Sequence, residues 1–151
     1  MGYRQTPGID AIVVVLDLDR RPLNELRLEL TELARLTQAE HLALFCIAIE
    51  EMEAWLLGDR LAILQAFPDA KIPVLEAYQQ DSICGTWEIL ANAVHKGGVA
   101  SLKNQPYRVA GTAKCEWASR IAPFMDLDHN SSPSFNEFLH TLRHRLATCE
   151  D

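Results

Sequence analysis

The residues best suited to chemistry are two groups of carboxylates, each directly after a run of apolar residues. Ala11-Ile12-Val13-Val14-Val15-Leu16 leads into Asp17-Leu18-Asp19, and Leu42-Ala43-Leu44-Phe45-Cys46-Ile47-Ala48-Ile49 leads into Glu50-Glu51-Met52-Glu53. In extended chain, side chains two residues apart point to one side about 6.6 Å apart, so Asp17 and Asp19 can share one hard cation. Acids crowded at one edge repel each other unless a cation or raised pKa values relieve them, and magnesium or manganese suits such oxygen donors. The reading is therefore a Mg2+ or Mn2+ site with Asp17, Asp19, Glu51 and Glu53 as both metal ligands and catalytic acids. Taken singly, either Asp could start a turn or cap a helix, and Glu50 could simply favour a helix N-terminus.

A second group carries the opposite charge. From Ile89 to Met125 the chain holds Lys96, Lys103, Arg108, Lys114 and Arg120 against Glu116 alone, within a protein of net charge −7. A basic strip beside an acidic metal site suits a phosphate-bearing substrate, and Lys96, Lys103, Arg108 and Lys114 are the candidate contacts. The overall acidity argues against a protein that coats nucleic acid, since such proteins are usually basic as a whole. His140 and His144 are four residues apart, but no glutamate completes an H-E-x-x-H pattern, so they read as surface residues.

The elements that would position these groups follow from periodicity. Continuous apolar runs mark strands covered on both faces, and Leu23, Leu26, Leu30, Leu33 and Ala34 recur at helical spacing between the two runs. Strand, helix and strand form a βαβ unit with parallel strands. Both acidic groups then fall outside the same carboxyl edge, where α/β sheets place their ligands. Downstream, a short helix reaches Leu57, Gly58 caps it, and Asp59 caps a further helix through Phe67. The segment from Val74 to Asp81 is ambiguous between helix and loop, and a helix from about Ile83 ends at Gly97-Gly98. Val99 to Thr112 reads as a loop facing substrate, Lys114 to Ile121 as a helix stopped by Pro123, and Ser132-Pro133-Ser134 as the start of a last helix. Ser134 and Glu137 stand at capping-box spacing there. Trp55 reads as core.

With 151 residues and 48% hydrophobic content, the expected architecture is one α/β domain over residues 1–151, a βαβ unit at 11–57 followed by a helical part at 59–148. Its sheet is parallel, Rossmann-like and few-stranded. The four scattered cysteines contain no C-x-x-C pair and read as reduced thiols, with Cys46 buried in a strand. No apolar run approaches the ~20 residues of a membrane span and no signal-peptide pattern precedes the first strand, so the expected location is the cytoplasm.

Several segments together resemble an uncharacterised, mainly bacterial family, domain of unknown function forty-two seventy-six. They are Asp17-Leu18-Asp19, the stretch from Glu51 to Asp59, Glu116-Trp117-Ala118-Ser119-Arg120-Ile121-Ala122-Pro123, Met125-Asp126 and Ser132-Pro133-Ser134-Phe135. The resemblance implies a Toprim-like fold, the metal-binding fold of topoisomerases, primases and certain nucleases, with Asp17 and Asp19 as its D-x-D pair. It also implies a glutamate on an earlier strand, for which residues before Asp10 leave no room. The chain thus reads as shortened at its amino end: a start site set too late, a lost glutamate, or its replacement by Glu50, Glu51 or Glu53.

The leading expectation is a Mg2+-dependent nuclease or phosphoryl-transfer domain acting on DNA or RNA. The alternative is a catalytically degenerate, noncatalytic interaction subunit of a bacterial defence or repair assembly, bound to a partner protein. With so few strands, one β edge is left unpaired, so it should be covered by Val99 to Val109 or by a second copy in a homodimer.

Overall fold

In the computed structural model, which describes residues 8–148, two parallel strands lie side by side: β1 (Ile12–Asp17) and β2 (Ala43–Ala48). Ile12 stands opposite Ala43 and Asp17 opposite Ala48, so the strands end level with each other. Helix α1 (Leu23–Leu36) makes the crossover. Pro22 precedes its first turn, accepting from Leu26 N–H with a carbonyl that starts the helix. The expected βαβ unit is therefore present, and the rest of the chain is largely helical.

Alternation along β2 divides its side chains between two cores. Ile47 packs with Leu18 and Leu26 on the α1 side. Cys46 and Ala48 pack with Trp55, Phe135 and Leu139 on the other, where α8 (Pro133–Thr148) returns to cover the strand. Trp55 is core, as its sequence context indicates, stacked on Phe138 at 5.1 Å between ring centroids. The last helix thus belongs to the sheet packing although it lies in the helical part of the sequence.

Beyond the carboxyl edge, six short or medium helices enclose a third and larger core: α2 (Glu53–Leu57), α3 (Arg60–Ala66), α4 (Ile72–Ala77), α5 (Thr86–Val94), α6 (Gly98–Lys103) and α7 (Tyr107–Ile121). Helix α2 joins two cores: Trp55 faces the sheet, whereas Leu56 and Leu57 enter the helical core with Ile63, Leu75, Leu90, Trp117 and Ile121. Asp59 caps α3 as its position indicates, its carboxylate accepting from Ala62 N–H at 2.9 Å. The ambiguous segment resolves into α4, with Pro73 in its first turn.

Three local expectations are corrected. Val99 to Thr112 is not a loop and does not cover β1: it forms α6 and the first turns of α7, which starts seven residues before Lys114. Proline and glycine disfavour helix by propensity, but Pro106 precedes the first helical turn and Gly111 sits mid-helix with open space around it. The cap of α8 is Ser132 rather than Ser134, since Phe135 N–H donates to Ser132 Oγ. Ser134 Oγ instead accepts from Trp55 Nε1, and Glu137 pairs with Arg27. The third is the start of α5, at Thr86 rather than Ile83, after a left-handed Gly85 at φ +88°.

Cys46 is buried and Cys84 and Cys115 are exposed free thiols, while Cys149 lies outside the described residues. Among the described residues no helix is long and apolar enough to cross a membrane.

Candidate functional site

Because the strands are parallel and end level, the backbone beyond them forms one edge. Leu18 N–H donates to Ala48 O and Asp19 N–H to Glu50 O, which ties the two acidic segments together. Asp19 and Glu50 both adopt left-handed backbone, φ 52° and 63°, a conformation costing a non-glycine residue roughly 1–2 kcal/mol. Asp19 has therefore left the extended strand, and the alternation that would aim it beside Asp17 ends before it.

Each acid at this edge meets a different partner. Asp17 Oδ1 accepts from Met52 N–H at 2.8 Å, tying the end of β1 to the chain entering α2. Burial pushes its carboxyl above the ordinary range, with the Met52 N–H and Lys114 pulling down and Asp19 pushing up. Glu50 turns to the N-terminus of α5, where its carboxylate accepts from the N–H groups of Cys84 (3.2 Å), Gly85 (2.9 Å) and Thr86 (2.8 Å). Burial pushes Glu50 up, but the Gly85, Thr86 and Cys84 donors outweigh it and leave its pKa lowered. This is a helix N-terminus holding a carboxylate of its own chain.

Glu51 and Glu53 share a cation that the chain supplies. Lys114 Nζ on α7 lies 3.4 Å from Glu51 Oε1 and 3.3 Å from Glu53 Oε1. The Glu53 side chain is 7% exposed and that of Lys114 28%. Burial raises the Glu53 pKa against the pull of Lys114. Burial also acts to lower that of Lys114, but Glu53 and Glu51 overcome it and hold the ammonium above its ordinary value. Glu51 Oε2 faces Trp87 N–H at 3.3 Å and Thr86 Oγ1 at 3.4 Å. Beside them opens a cavity of 320 Å³ lined by Asp19, Arg20, Glu50, Glu51, Gly85, Trp87 and Glu88.

A magnesium ion takes about six oxygen ligands at about 2.1 Å in near-octahedral geometry. The acids of this edge do not fit that requirement. Glu50 is engaged by three backbone donors, Asp17 by one, and Glu51 and Glu53 face an ammonium. Among the described residues, no three His, Cys, Asp or Glu side chains converge as metal ligands, and His140 and His144 are exposed.

Of the four basic candidates, only Lys114 reaches the acids. Lys103 pairs with Glu88 at 3.3 Å, at the rim of the same cavity. Lys96 and Arg108 line a separate cavity of 490 Å³ with His95, Gln105 and Thr112. The sequence reading missed Arg20, Gly85, Thr86 and Trp87. A signal was available at Gly85, because a glycine before a helical run exposes N–H groups to a carboxylate.

The geometry defines an α/β domain whose two-stranded parallel sheet carries an acid–lysine cluster at its carboxyl edge. The chain belongs to the family described as Domain of unknown function (DUF4276), which matches residues 4–143. No curated protein and no solved structure matches it.

Proposed function

We propose that this chain acts by binding, as a noncatalytic interaction module of a larger assembly, rather than by metal-assisted phosphoryl transfer. The observation that carries this reading is Lys114 between Glu51 and Glu53, an internal cation that gives the carboxylates a structural task. Metal-assisted hydrolysis needs acids free to hold an ion and a water. Here the acids instead join β1, β2, α2, α5 and α7 at one edge.

The competing reading is a Mg2+- or Mn2+-dependent nuclease of Toprim-like type, in which Asp17, Asp19, Glu51 and Glu53 hold the ion and the basic residues hold DNA or RNA. Purified protein incubated with single- and double-stranded DNA and RNA in millimolar Mg2+ or Mn2+ decides between the two. The expected result is no cleavage beyond that of an Asp17→Asn control. Chelator-sensitive cleavage that Asp17→Asn abolishes would overturn the noncatalytic reading.

The outer edge of β1 supports a binding role. Ile12 and Leu18 donate their N–H groups to β2, so in a parallel ladder Val13 and Val15 aim theirs away from it. Among the described residues no strand pairs with that edge, and Val13 and Val15 are 40% and 43% exposed. An unpaired apolar edge is a template for a further strand. We propose self-association there as a homodimer. Light scattering at micromolar concentration should give about twice the chain mass of 17.0 kDa, and Val15→Lys should return the chain mass. A monodisperse wild-type monomer would remove the dimer from the proposal.

A further inference from the structure

We infer that Lys114 is the resident cation of the edge cluster, and that its ammonium fills the place between Glu51 and Glu53 that a divalent ion would need. This deepens the noncatalytic reading and rests on it. Two carboxylates at the start of α2 and just before it, Glu53 and Glu51, meet one ammonium from a residue 63 positions further on from Glu51. Asp17 lies within the electrostatic reach of the same ammonium.

The position of Lys114 is built rather than incidental. It projects from α7, whose Ala113 and Trp117 are buried in the helical core, so the stem of the side chain starts from a fixed backbone. The Trp87 ring lies on its flank, 6.0 Å from Nζ to the ring centroid. A divalent ion drawn to Glu51 and Glu53 would have to displace an ammonium that both carboxylates already neutralise. Without it, a buried carboxylate and a half-buried one face each other with no cation, and a hard ion is the ligand that relieves them.

The test compares Mn2+ binding by wild type, Lys114→Met and Lys114→Arg, followed by calorimetry and by melting temperature. Lys114→Met should bind Mn2+ at least about tenfold more tightly than wild type, and saturating Mn2+ should raise its Tm by several degrees. Wild type and Lys114→Arg, which keeps a cation, should show neither effect. A folded Lys114→Met that ignores Mn2+ would overturn the inference, as would wild type binding Mn2+ as tightly as the variant. If Lys114→Met does not fold without metal, recovery of folded protein on refolding in Mn2+, and not in its absence, is the expected result; no recovery overturns it. Wild type that binds Mn2+ without cleaving nucleic acid would end this inference and leave the noncatalytic reading in place, whereas cleavage would end that reading itself.

Discussion

Gly58→Ala is expected to lower stability by about 3–5 kcal/mol, the combined scale of overpacking and of buried hydrogen bonds lost. Gly58 ends α2 with ordinary helical backbone, φ −66°, so its requirement is space and not conformation. A Cβ there would lie 2.0 Å from Asn130 Oδ1 and 2.8 Å from Asn130 Cγ. Asn130 cannot simply step aside. It is buried, its Nδ2 donates to Trp55 O at 2.8 Å, and its Oδ1 accepts from Ser132 N–H at 2.8 Å. Moving it strands both groups and loosens the start of α8, which Ser132 caps. In a chain of this size the Tm should fall by roughly 10 °C. Asn130→Ala should remove most of the clash, so the double variant should melt no lower than Asn130→Ala alone. A Gly58→Ala protein melting within a degree or two of wild type would show that Asn130 has room to move.

The second large effect is expected at Glu50. Removing its carboxylate in Glu50→Ala leaves the N–H groups of Cys84, Gly85 and Thr86 without their acceptor, at a cost of about 3 kcal/mol. Glu50→Gln keeps one carbonyl oxygen and should cost about half as much. The sign of the pH dependence follows from the lowered pKa of Glu50. Its contribution is fully present above the unfolded value of 4.5 and disappears as pH falls through the lower folded value. The stability gap between wild type and Glu50→Gln should therefore narrow below about pH 4.5. Asp17 and Glu53 act in the opposite sense, because their raised pKa values make protonation favour the folded state as pH falls through them. A gap that stays constant across this range, measured by urea unfolding, would mean that Glu50 does not anchor α5 as a carboxylate.

Much of this architecture is legible in the chain itself. Two continuous apolar runs separated by a helical one pair as parallel strands, which brings the acidic segments to a common edge. The cover on both faces that the first run leads one to expect is absent from β1, whose exposure alternates and whose Val13 and Val15 stay exposed. Asp59 as a cap, Trp55 as core and Cys46 as a buried strand thiol are also local consequences of residue type and spacing. These outcomes rest on contacts within a turn or two, or on burial that hydrophobicity dictates.

The partners of the acids are decided by tertiary structure alone. Glu50 meets the start of α5 34 to 36 residues downstream, and Lys114 meets Glu51 from 63 residues away. Nothing near Lys114 in the sequence separates it from Lys96, Lys103 or Arg108; it reaches the acids because α7 begins at Tyr107 and packs its Ala113 and Trp117 into the helical core. That start escaped the sequence reading because Pro106 and Gly111 break helices on propensity, while packing of the rest of α7 outweighs roughly 1 kcal/mol for one exposed glycine. Local periodicity placed the carboxylates; only the folded core decided that a lysine would be the cation between them.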